Sequence, residues 1–268
     1  MKSNYSILVS STDSYSDCWL PFFTLFKKYW PNYAGRIFLN TENKNFSFPG
    51  LDITCTRVAR FTGRADTPHG LRLLEAFKQI DTDIVVYLHE DMFLDQFVPE
   101  QKIQQLVDIM IEQHIAYIGL VESGNQGPFL PSQFPDLWEV DRSDKYLFSA
   151  MASMWNIRRM AQYFRAHENP WQTEFYVNRR VRNTAEKFYT INRDLYSYPD
   201  HALIPFIPLT GIYRGKWHRD AVVKLFAAEG IDVDYSLRGF YTPSIENDAE
   251  PSKEFSFKKL LSLIKSRV

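Results

Sequence analysis

A buried strand that ends in adjacent acids constrains this chain more than any other feature. Residues 84–88 are five consecutive apolar or aromatic residues, rich in β-branched side chains, and such a run predicts a strand covered on both faces. His89, Glu90 and Asp91 follow it directly. Because buried carboxylates are costly without a cation or another partner, we expect these acids at the C-terminal end of the strand, where open α/β sheets bind ligands. An acidic turn that caps the next helix is the alternative interpretation.

Carboxylate oxygens in that position suit a hard divalent ion that bridges to a nucleotide diphosphate. Glu90 and Asp91 are therefore the predicted ligands of a divalent metal, Mn²⁺ or Mg²⁺. His218 is a third candidate ligand, since imidazole beside carboxylates suits manganese. A purely structural histidine is the alternative for His218.

The order of the predicted elements indicates an α/β fold. Strands are expected at 5–11, 35–40, 51–58 and 84–88, with helices at 17–29 and 67–80. This βαβαβ order is typical of a mostly parallel sheet flanked by helices, an α/β/α sandwich. Further helices are expected at 99–114, 156–165, from 173 and at 220–229, and further strands at 115–121, 202–207, 209–213 and 231–235. Residues 148–155 are expected to form a buried strand or another core segment. Residues 122–144 lack periodicity and contain three prolines, which predicts a functional loop or lid.

Several polar side chains near the strand ends are candidate ligands of a nucleotide. Small polar residues that include Ser11 follow the first strand, as at the start of a nucleotide-binding half, and no glycine-rich phosphate loop is present. Asp13 could accept from a base or ribose, or close a turn. Arg64 could reach a diphosphate, or be solvated. Arg214 and Lys216 lie in a turn framed by glycines that could grip phosphates or form a plain hairpin.

Aromatic residues make up 16% of the chain, a weak indication of a sugar-binding cleft since they also fill ordinary cores. Trp138 and Trp171 are the predicted acceptor-binding aromatics. Glu174 begins a predicted helix, where its alternative role is a first-turn acid behind a Thr173 cap.

Charge and cysteine content limit the partners and the compartment. A formal net charge of −1 argues against a general nucleic-acid binder. The two cysteines, Cys18 and Cys55, could form one disulfide, although a reduced pair is favoured. The start of the chain lacks the apolar core of a signal peptide and no run approaches a membrane span, so we expect a cytoplasmic protein. Residues 246–268 form a basic amphipathic tail, which predicts either peripheral contact with the inner face of the membrane or packing onto the domain.

Seven segments occur in an order that is specific even though no single segment is. They are Val9-Ser10-Ser11-Thr12-Asp13, Trp19-Leu20-Pro21-Phe22-Phe23, Leu73-Leu74-Glu75-Ala76-Phe77, Tyr87-Leu88-His89-Glu90-Asp91-Met92-Phe93-Leu94, Met154-Trp155-Asn156, Asn169-Pro170-Trp171-Gln172-Thr173-Glu174 and Gly215-Lys216-Trp217. In this order, which covers most of residues 5–240, the chain resembles bacterial glycosyltransferases of the GT-A fold, especially those of capsule and lipopolysaccharide assembly.

The resemblance implies a nucleotide-diphosphate sugar as donor and a glycan or lipid-linked hydroxyl as acceptor. It implies that Asp91, with Glu90, holds a metal on the diphosphate, although His89 stands where a full Asp-x-Asp motif has an acid. It makes Glu174 the general base of an inverting transfer. The turn at 215–217 would close over the diphosphate, and 122–144 would help form the acceptor side.

The implied organisation is a single catalytic domain over 1–245, with a nucleotide-sugar half at 1–95 and an acceptor half at 96–245. Two other functions remain open. One is a catalytically silent glycan-binding protein on the same fold. The other is a sugar nucleotidyltransferase, which would usually carry a glycine- and arginine-rich loop after the first strand.

Overall fold

A computed structural model describes residues 3–64, 67–207 and 210–243. Nine strands form one mixed sheet with the spatial order β3-β2-β1-β4-β8-β5-β9-β7-β6. In chain order they are β1 (Tyr5–Ser10), β2 (Arg36–Leu39), β3 (Asp52–Cys55), β4 (Ile84–His89), β5 (Tyr117–Gly119), β6 (Phe129–Leu130), β7 (Leu137–Val140), β8 (Ser153–Asn156) and β9 (Phe188–Ile191).

The first four strands are parallel, as the predicted βαβαβ order requires. β1 lies between β2 and β4 and pairs in parallel with both, and β2 pairs in parallel with β3. In the register of β1 with β4, Ser10 is opposite His89. The polar end of β1 and the acidic end of β4 therefore leave the sheet side by side.

The rest of the sheet is mixed. β8 is antiparallel to both of its neighbours, β4 and β5, so β4 and β5 run in the same direction. β9 is parallel to β5. The C-terminal ends of β1, β4, β5 and β9 consequently lie along one edge of the sheet.

Several sequence expectations about this half are wrong. The stretch 122–144 is not wholly irregular, because it contains β6 and β7, which pair with each other and extend the sheet. β9 was not expected. Residues 202–207 form only a single bridge, between Phe206 and Leu94, and 231–235 is not a strand but leads into a 3₁₀ turn at Tyr235–Leu237. The hydrophobic residues of 202–207 and 231–235 pack against the core, but they lie in loops and not in strands.

Helices cover both faces of the sheet. They are α1 (Trp19–Tyr29), α2 (Ala59–Thr62), α3 (His69–Gln79), α4 (Glu100–Glu112), α5 (Ile157–Met160), α6 (Pro170–Val181) and α7 (Arg219–Ala228), with 3₁₀ turns at Asp13–Cys18 and Ala161–Tyr163. One buried cluster packs α1, α4 and α7 on one face, and a second packs α3, α5 and α6 on the other. The side chains of β4 alternate between the two clusters. This is the α/β/α sandwich that the sequence predicted.

A small hairpin lies outside the main sheet. It consists of β10 (Ile212–Tyr213) and β11 (Lys216–Trp217). Its two-residue turn is Arg214-Gly215, with φ of 50° and 78°, and such positive values at both positions match the right-handed twist of hairpin strands. Trp217 is fully buried and packs edge-on against Phe226 of α7, which anchors the hairpin to the body of the protein.

Four further sequence predictions concern the tail, the two functional halves, the cysteines and a membrane span. Residues 246–268 lie outside the described residues, so the amphipathic tail stays a prediction. The division of 1–245 into two functional halves also stays a prediction. Cys18 and Cys55 are both free thiols, in agreement with the favoured reduced pair. In the part of the chain that is described, no helix is long and apolar enough to cross a membrane.

Candidate functional site

A cavity of about 480 Å³ lies at the C-terminal ends of β1 and β4. We call it the central cavity. Its walls are the segment after β1 (Ser10, Ser11, Thr12, Tyr15), the end of β4 (His89, Glu90, Asp91), the first turns of α3 (His69, Arg72) and α6 (Pro170, Trp171), and the β10–β11 turn (Ile212, Arg214, Gly215). The cavity therefore occupies the edge of the sheet where open α/β folds bind ligands.

A close approach of backbones brings the first turns of α3 and α6 to the same cavity. The Gly70 amide donates to the Glu168 carbonyl at 2.9 Å. A Cβ at Gly70 would lie only 2.1 Å from the carbonyl oxygen of Arg165, so glycine is required there. Because the N-terminal end of a helix carries partial positive charge, the two helices make this wall of the cavity electropositive.

Of the two adjacent acids of the β4 motif, Glu90 is buried and Asp91 is partly buried. Glu90 is only 7% exposed, and burial, followed by the neighbouring Asp91 charge, raises its pKa well above the ordinary value. Burial also raises the pKa of Asp91, against the opposing effects of His89 and of a hydrogen bond from the Ile212 amide. Two adjacent carboxylates, one buried and one partly buried, are costly when both are ionised, so a bound cation would stabilise them. The donor set thus fits a divalent ion.

The three predicted metal ligands do not come together. Across residues 3–64, 67–207 and 210–243, no three histidine, cysteine or acidic side chains form a group that could hold a metal ion. The His218 amide donates to the Gly211 carbonyl, and the Gly211 amide donates to the Asp91 carbonyl, both at 2.9 Å. The backbone of Gly211 thus links His218 to Asp91, and the fit to a cation rests on Glu90 and Asp91.

Arg72 is a partly buried basic residue in the wall of the cavity. Its Nη1 donates to Glu42 Oε1 at 3.0 Å, and the two side chains are only 14% and 10% exposed. The other oxygen of Glu42 accepts from the Asp13 amide at 2.6 Å. This ion pair holds Arg72 in the wall of the cavity, while Arg214 reaches the same cavity from the tip of the hairpin.

Of the predicted nucleotide ligands, the structure brings Ser11, Glu90, Asp91 and Arg214 to the central cavity, and it places Asp13, Arg64 and Lys216 outside its wall. The Asp13 carboxylate accepts from the amides of Glu42, Asn43 and Lys44, and so closes the loop after β2. This geometry matches the turn alternative for Asp13. Arg64 and Lys216 are exposed.

Glu174 lies near the end of β4 but is not among the residues that line the central cavity. Its Oε1 accepts from the Ala150 amide at 3.0 Å, and the Ala150 carbonyl accepts from His89 Nε2 at 2.7 Å. Ala150 thus lies between Glu174 and the end of β4. Pro170, which lines the cavity, is one helical turn before Glu174 on the same face of α6.

The expectation that Thr173 caps α6 is wrong. Asn169 is the N-cap, and a reciprocal capping box joins it to Gln172. Pro170 therefore occupies the first helical position, where its missing amide hydrogen costs nothing. Glu174 lies beyond the first turn, so its predicted alternative role near the helix terminus does not apply.

The two predicted acceptor tryptophans lie in different places. Trp171 lines the central cavity and is 80% exposed. Trp138 is in β7, where it stacks on Phe129 with ring centroids 5.3 Å apart. β7 is four strands from β4 in the sheet, roughly 19 Å at the usual strand spacing. The structure brings only Trp171 to the candidate site.

Sequence reasoning missed His69 and Arg72. They are three residues apart at the start of a correctly predicted helix, a spacing that places both on one face. That spacing was the available signal. It could not be used, because only the packing of α3 against the segment before α6 turns this face toward the acids of β4.

No protein-family model matches the sequence, and no curated protein matches it. Solved structures similar to the chain include residues 1–349 of TarS from S. aureus, at 13% identity and a TM-score of 0.42, with 71% of this chain and 60% of that chain covered. The galactosyltransferase LgtC, in complex with donor and acceptor sugar analogs, has 13% identity and a TM-score of 0.43, with 90% and 98% covered. CMP:2-keto-3-deoxy-manno-octonic acid synthetase complexed with CTP has 14% identity and a TM-score of 0.42, with 70% and 89% covered.

The chain thus spans about 60% of the length of the TarS 1–349 structure. LgtC is a galactosyltransferase, and TarS 1–349 has also been solved in complex with UDP-GlcNAc. The fold class of this chain rests on its own strand order and on the two helical layers described above.

Proposed function

We propose that this protein is a glycosyltransferase that moves a sugar from a nucleotide-diphosphate sugar to a hydroxyl of a glycan or lipid-linked acceptor, in the assembly of a cell-surface polysaccharide. One observation carries the proposal. In the central cavity, the acids Glu90 and Asp91 lie in the same space as Arg214 and the N-terminal end of α6. Such a distribution of both charges suits a diphosphate that is bound together with a cation.

Each wall of the cavity then has a role in the proposed reaction. Ser11 and the segment after β1 would contact the nucleotide, and Arg214 would contact the diphosphate. A divalent cation held by Glu90 and Asp91 would neutralise the charge that develops on the departing diphosphate. The exposed ring of Trp171 would stack on the acceptor at the rim of the cavity.

Glu174 is the proposed general base. One of its carboxylate oxygens accepts from the Ala150 amide, which fixes the orientation of the group next to the end of β4. The carboxylate would remove the proton of the acceptor hydroxyl as that oxygen attacks the anomeric carbon, with inversion of configuration.

Thermal melting with a panel of nucleotides tests the proposal. The panel contains UDP, GDP and dTDP and their hexose conjugates, each with and without Mn²⁺, and it includes UDP-GlcNAc, with which TarS 1–349 has been solved. A ligand at one hundred times its Kd should stabilise the fold by about 2.7 kcal/mol, or roughly 5–10 °C for a chain of this size. Asp91→Asn should reduce that shift.

The outcomes separate the proposals. A shift that requires Mn²⁺ supports the transferase and its cation. A shift that is the same without Mn²⁺, and unchanged in Asp91→Asn, retains the transferase and removes the metal. No shift with any nucleotide contradicts the transferase and favours a catalytically silent glycan-binding protein.

One contact favours that silent alternative. Glu174 and Asn178 together hold the segment before β8, since Asn178 accepts from the Phe148 amide and donates to its carbonyl, at 2.8 and 2.7 Å. In that alternative, the role of Glu174 is only to hold this segment in place. In Glu174→Gln the remaining oxygen can still accept from Ala150, so the fold is kept. The transferase predicts a fall in kcat of about 10²-fold or more with unchanged donor affinity, and full turnover would exclude Glu174 as the base.

A further inference from the structure

The first turn of α3 contributes two residues to the central cavity, and each has a buried polar atom that lacks a partner among the described residues. The His69 side chain is 94% buried, and its Nε2 has no hydrogen-bond partner among the described residues. The Nε of Arg72 is likewise buried and unpaired within the described part of the chain. Both residues line the cavity, and their spacing of three places them on one face of the helix.

Unpaired buried polar atoms are rare in native proteins and usually mark a bound water or ligand. Here both residues line the same cavity as Glu90 and Asp91, and α3 begins at this wall. The first turn of an eleven-residue helix, together with a buried imidazole whose Nε2 lacks a partner among the described residues, could thus receive a polar group from the cavity.

The charges around this turn indicate what kind of group that is. The Arg72 guanidinium is already paired with Glu42 at 3.0 Å, and the same Nη1 also donates to the Thr67 carbonyl. Burial, together with the nearby Arg72 charge, lowers the pKa of His69 to about 3. The ring is therefore neutral at physiological pH. A paired guanidinium and a neutral imidazole suit an uncharged hydroxyl, which can donate and accept, better than a phosphate.

We infer that His69 and Arg72 form the sugar subsite of the central cavity, in which His69 Nε2 and Arg72 Nε hydrogen-bond to hydroxyl groups of the donor's sugar. The inference rests on the proposed function, because the ligand is the nucleotide-diphosphate sugar proposed above. It assigns recognition of the sugar to α3 and recognition of the diphosphate to the β10–β11 turn and the acids of β4. His69 and Arg72 are thereby specificity-determining residues for the sugar.

Calorimetric titration tests the inference. The ligands are UDP and UDP-sugars, or GDP or dTDP with the corresponding nucleotide sugars if the wild-type protein prefers one of those nucleotides. His69→Phe keeps the ring volume and removes the nitrogen. It should weaken the affinity for the nucleotide sugar about tenfold, the usual effect of an unmade hydrogen bond at a buried site, and change the affinity for the bare nucleotide less than twofold. His69→Gln should restore part of the loss. Lys78→Ala, at the exposed far end of α3, should change neither affinity.

Two further measurements distinguish the loss of a sugar contact from a structural effect of the His69→Phe substitution. Arg72→Lys keeps the charge beside Glu42 but removes the guanidinium Nε, and should show the same selective loss for the sugar. In a set of singly deoxygenated donors, one analogue should bind wild type and His69→Phe equally, because it lacks the hydroxyl that His69 contacts.

The contrary outcomes are distinct. Equal losses for nucleotide and nucleotide sugar in both variants would overturn the sugar subsite, as would full affinity for both. If the wild-type protein bound no nucleotide and no nucleotide sugar, the proposed function would fall and this inference with it. Binding of nucleotide sugar by the wild type, with no selective loss in the variants, would leave the proposed function standing and reject the subsite alone.

Discussion

At the scale of single residues, the two acids that follow β4, Glu90 and Asp91, lower the stability of the ligand-free protein and are the proposed ligands of a cation. Burial, then the charge of Asp91, raises the pKa of Glu90. The folded protein therefore holds a proton at a pH where the unfolded chain has released it. Such a group loses its stabilising contribution as the pH rises from its ordinary value of 4.5 through the folded pKa.

Replacement of Glu90 by glutamine should accordingly stabilise the ligand-free protein at high pH. The gain should be largest near pH 8 and shrink toward pH 4.5, with a slope of at most about 1.4 kcal/mol per pH unit for one proton. Urea denaturation at several pH values measures it, with Glu112→Gln on the exposed side of α4 as the matched control. A variant less stable than wild type at pH 8 would show that the Glu90 carboxylate has a stabilising partner in the folded protein.

At the scale of elements, the capping box at the start of α6 also positions residues of the candidate site. The Asn169 side chain accepts from the Gln172 amide at 2.9 Å, and the Gln172 side chain accepts from the Asn169 amide at 3.0 Å. The turn that this box closes carries Pro170 and Trp171 into the cavity wall. Glu174 follows on the same helix, so the cap positions groups on both sides of the proposed transfer.

Asn169→Ala should therefore affect stability and ligand binding together. Loss of an N-cap costs about 1 kcal/mol, or roughly 2–4 °C in melting temperature for a chain of this size, and fraying of the first turn should weaken donor binding. Asn169→Asp, which keeps an acceptor at the cap, should resemble wild type in both measurements. Equal behaviour of the two variants would mean that the cap does not hold this wall of the site.

At the scale of the whole molecule, the two halves of the chain share one sheet and both of its cores. β8 lies between β4 and β5, and Trp155 of β8 stacks on Tyr87 of β4 with ring centroids 4.0 Å apart. The buried cluster on each face draws residues from before and after residue 95. Neither half can lose its packing without exposing the other.

We therefore expect a single unfolding transition. Trp155→Ala should lower the free energy of unfolding by about 3–5 kcal/mol, as for other buried aromatic truncations, and should destabilise both halves together. Intrinsic fluorescence and far-UV circular dichroism, followed in the same denaturant titration, should give coincident curves for wild type and variant. Two separated transitions would show that the halves at 1–95 and 96–245 unfold independently.

Elements with a strong local pattern could be predicted from the sequence. The apolar run before His89 is β4, the helical spacing after Pro68 is α3, and the βαβαβ order produces the parallel half of the sheet. These features depend on the periodicity of neighbouring residues, which the sequence displays directly. The acidic motif could be placed at a strand end for the same reason, since charges that follow an apolar run cannot stay within it.

Contacts between distant segments could not be predicted in this way. The sequence does not show that β8 inserts antiparallel between β4 and β5, nor that 188–191 pairs with β5. By itself the sequence determined the α/β class, the order of the first elements and the acids at the end of β4. Only the tertiary structure decided that Asp13 would close a loop while His69 and Arg72 would line the cavity, because side chains far apart in the chain meet only through the packing of one helix against another.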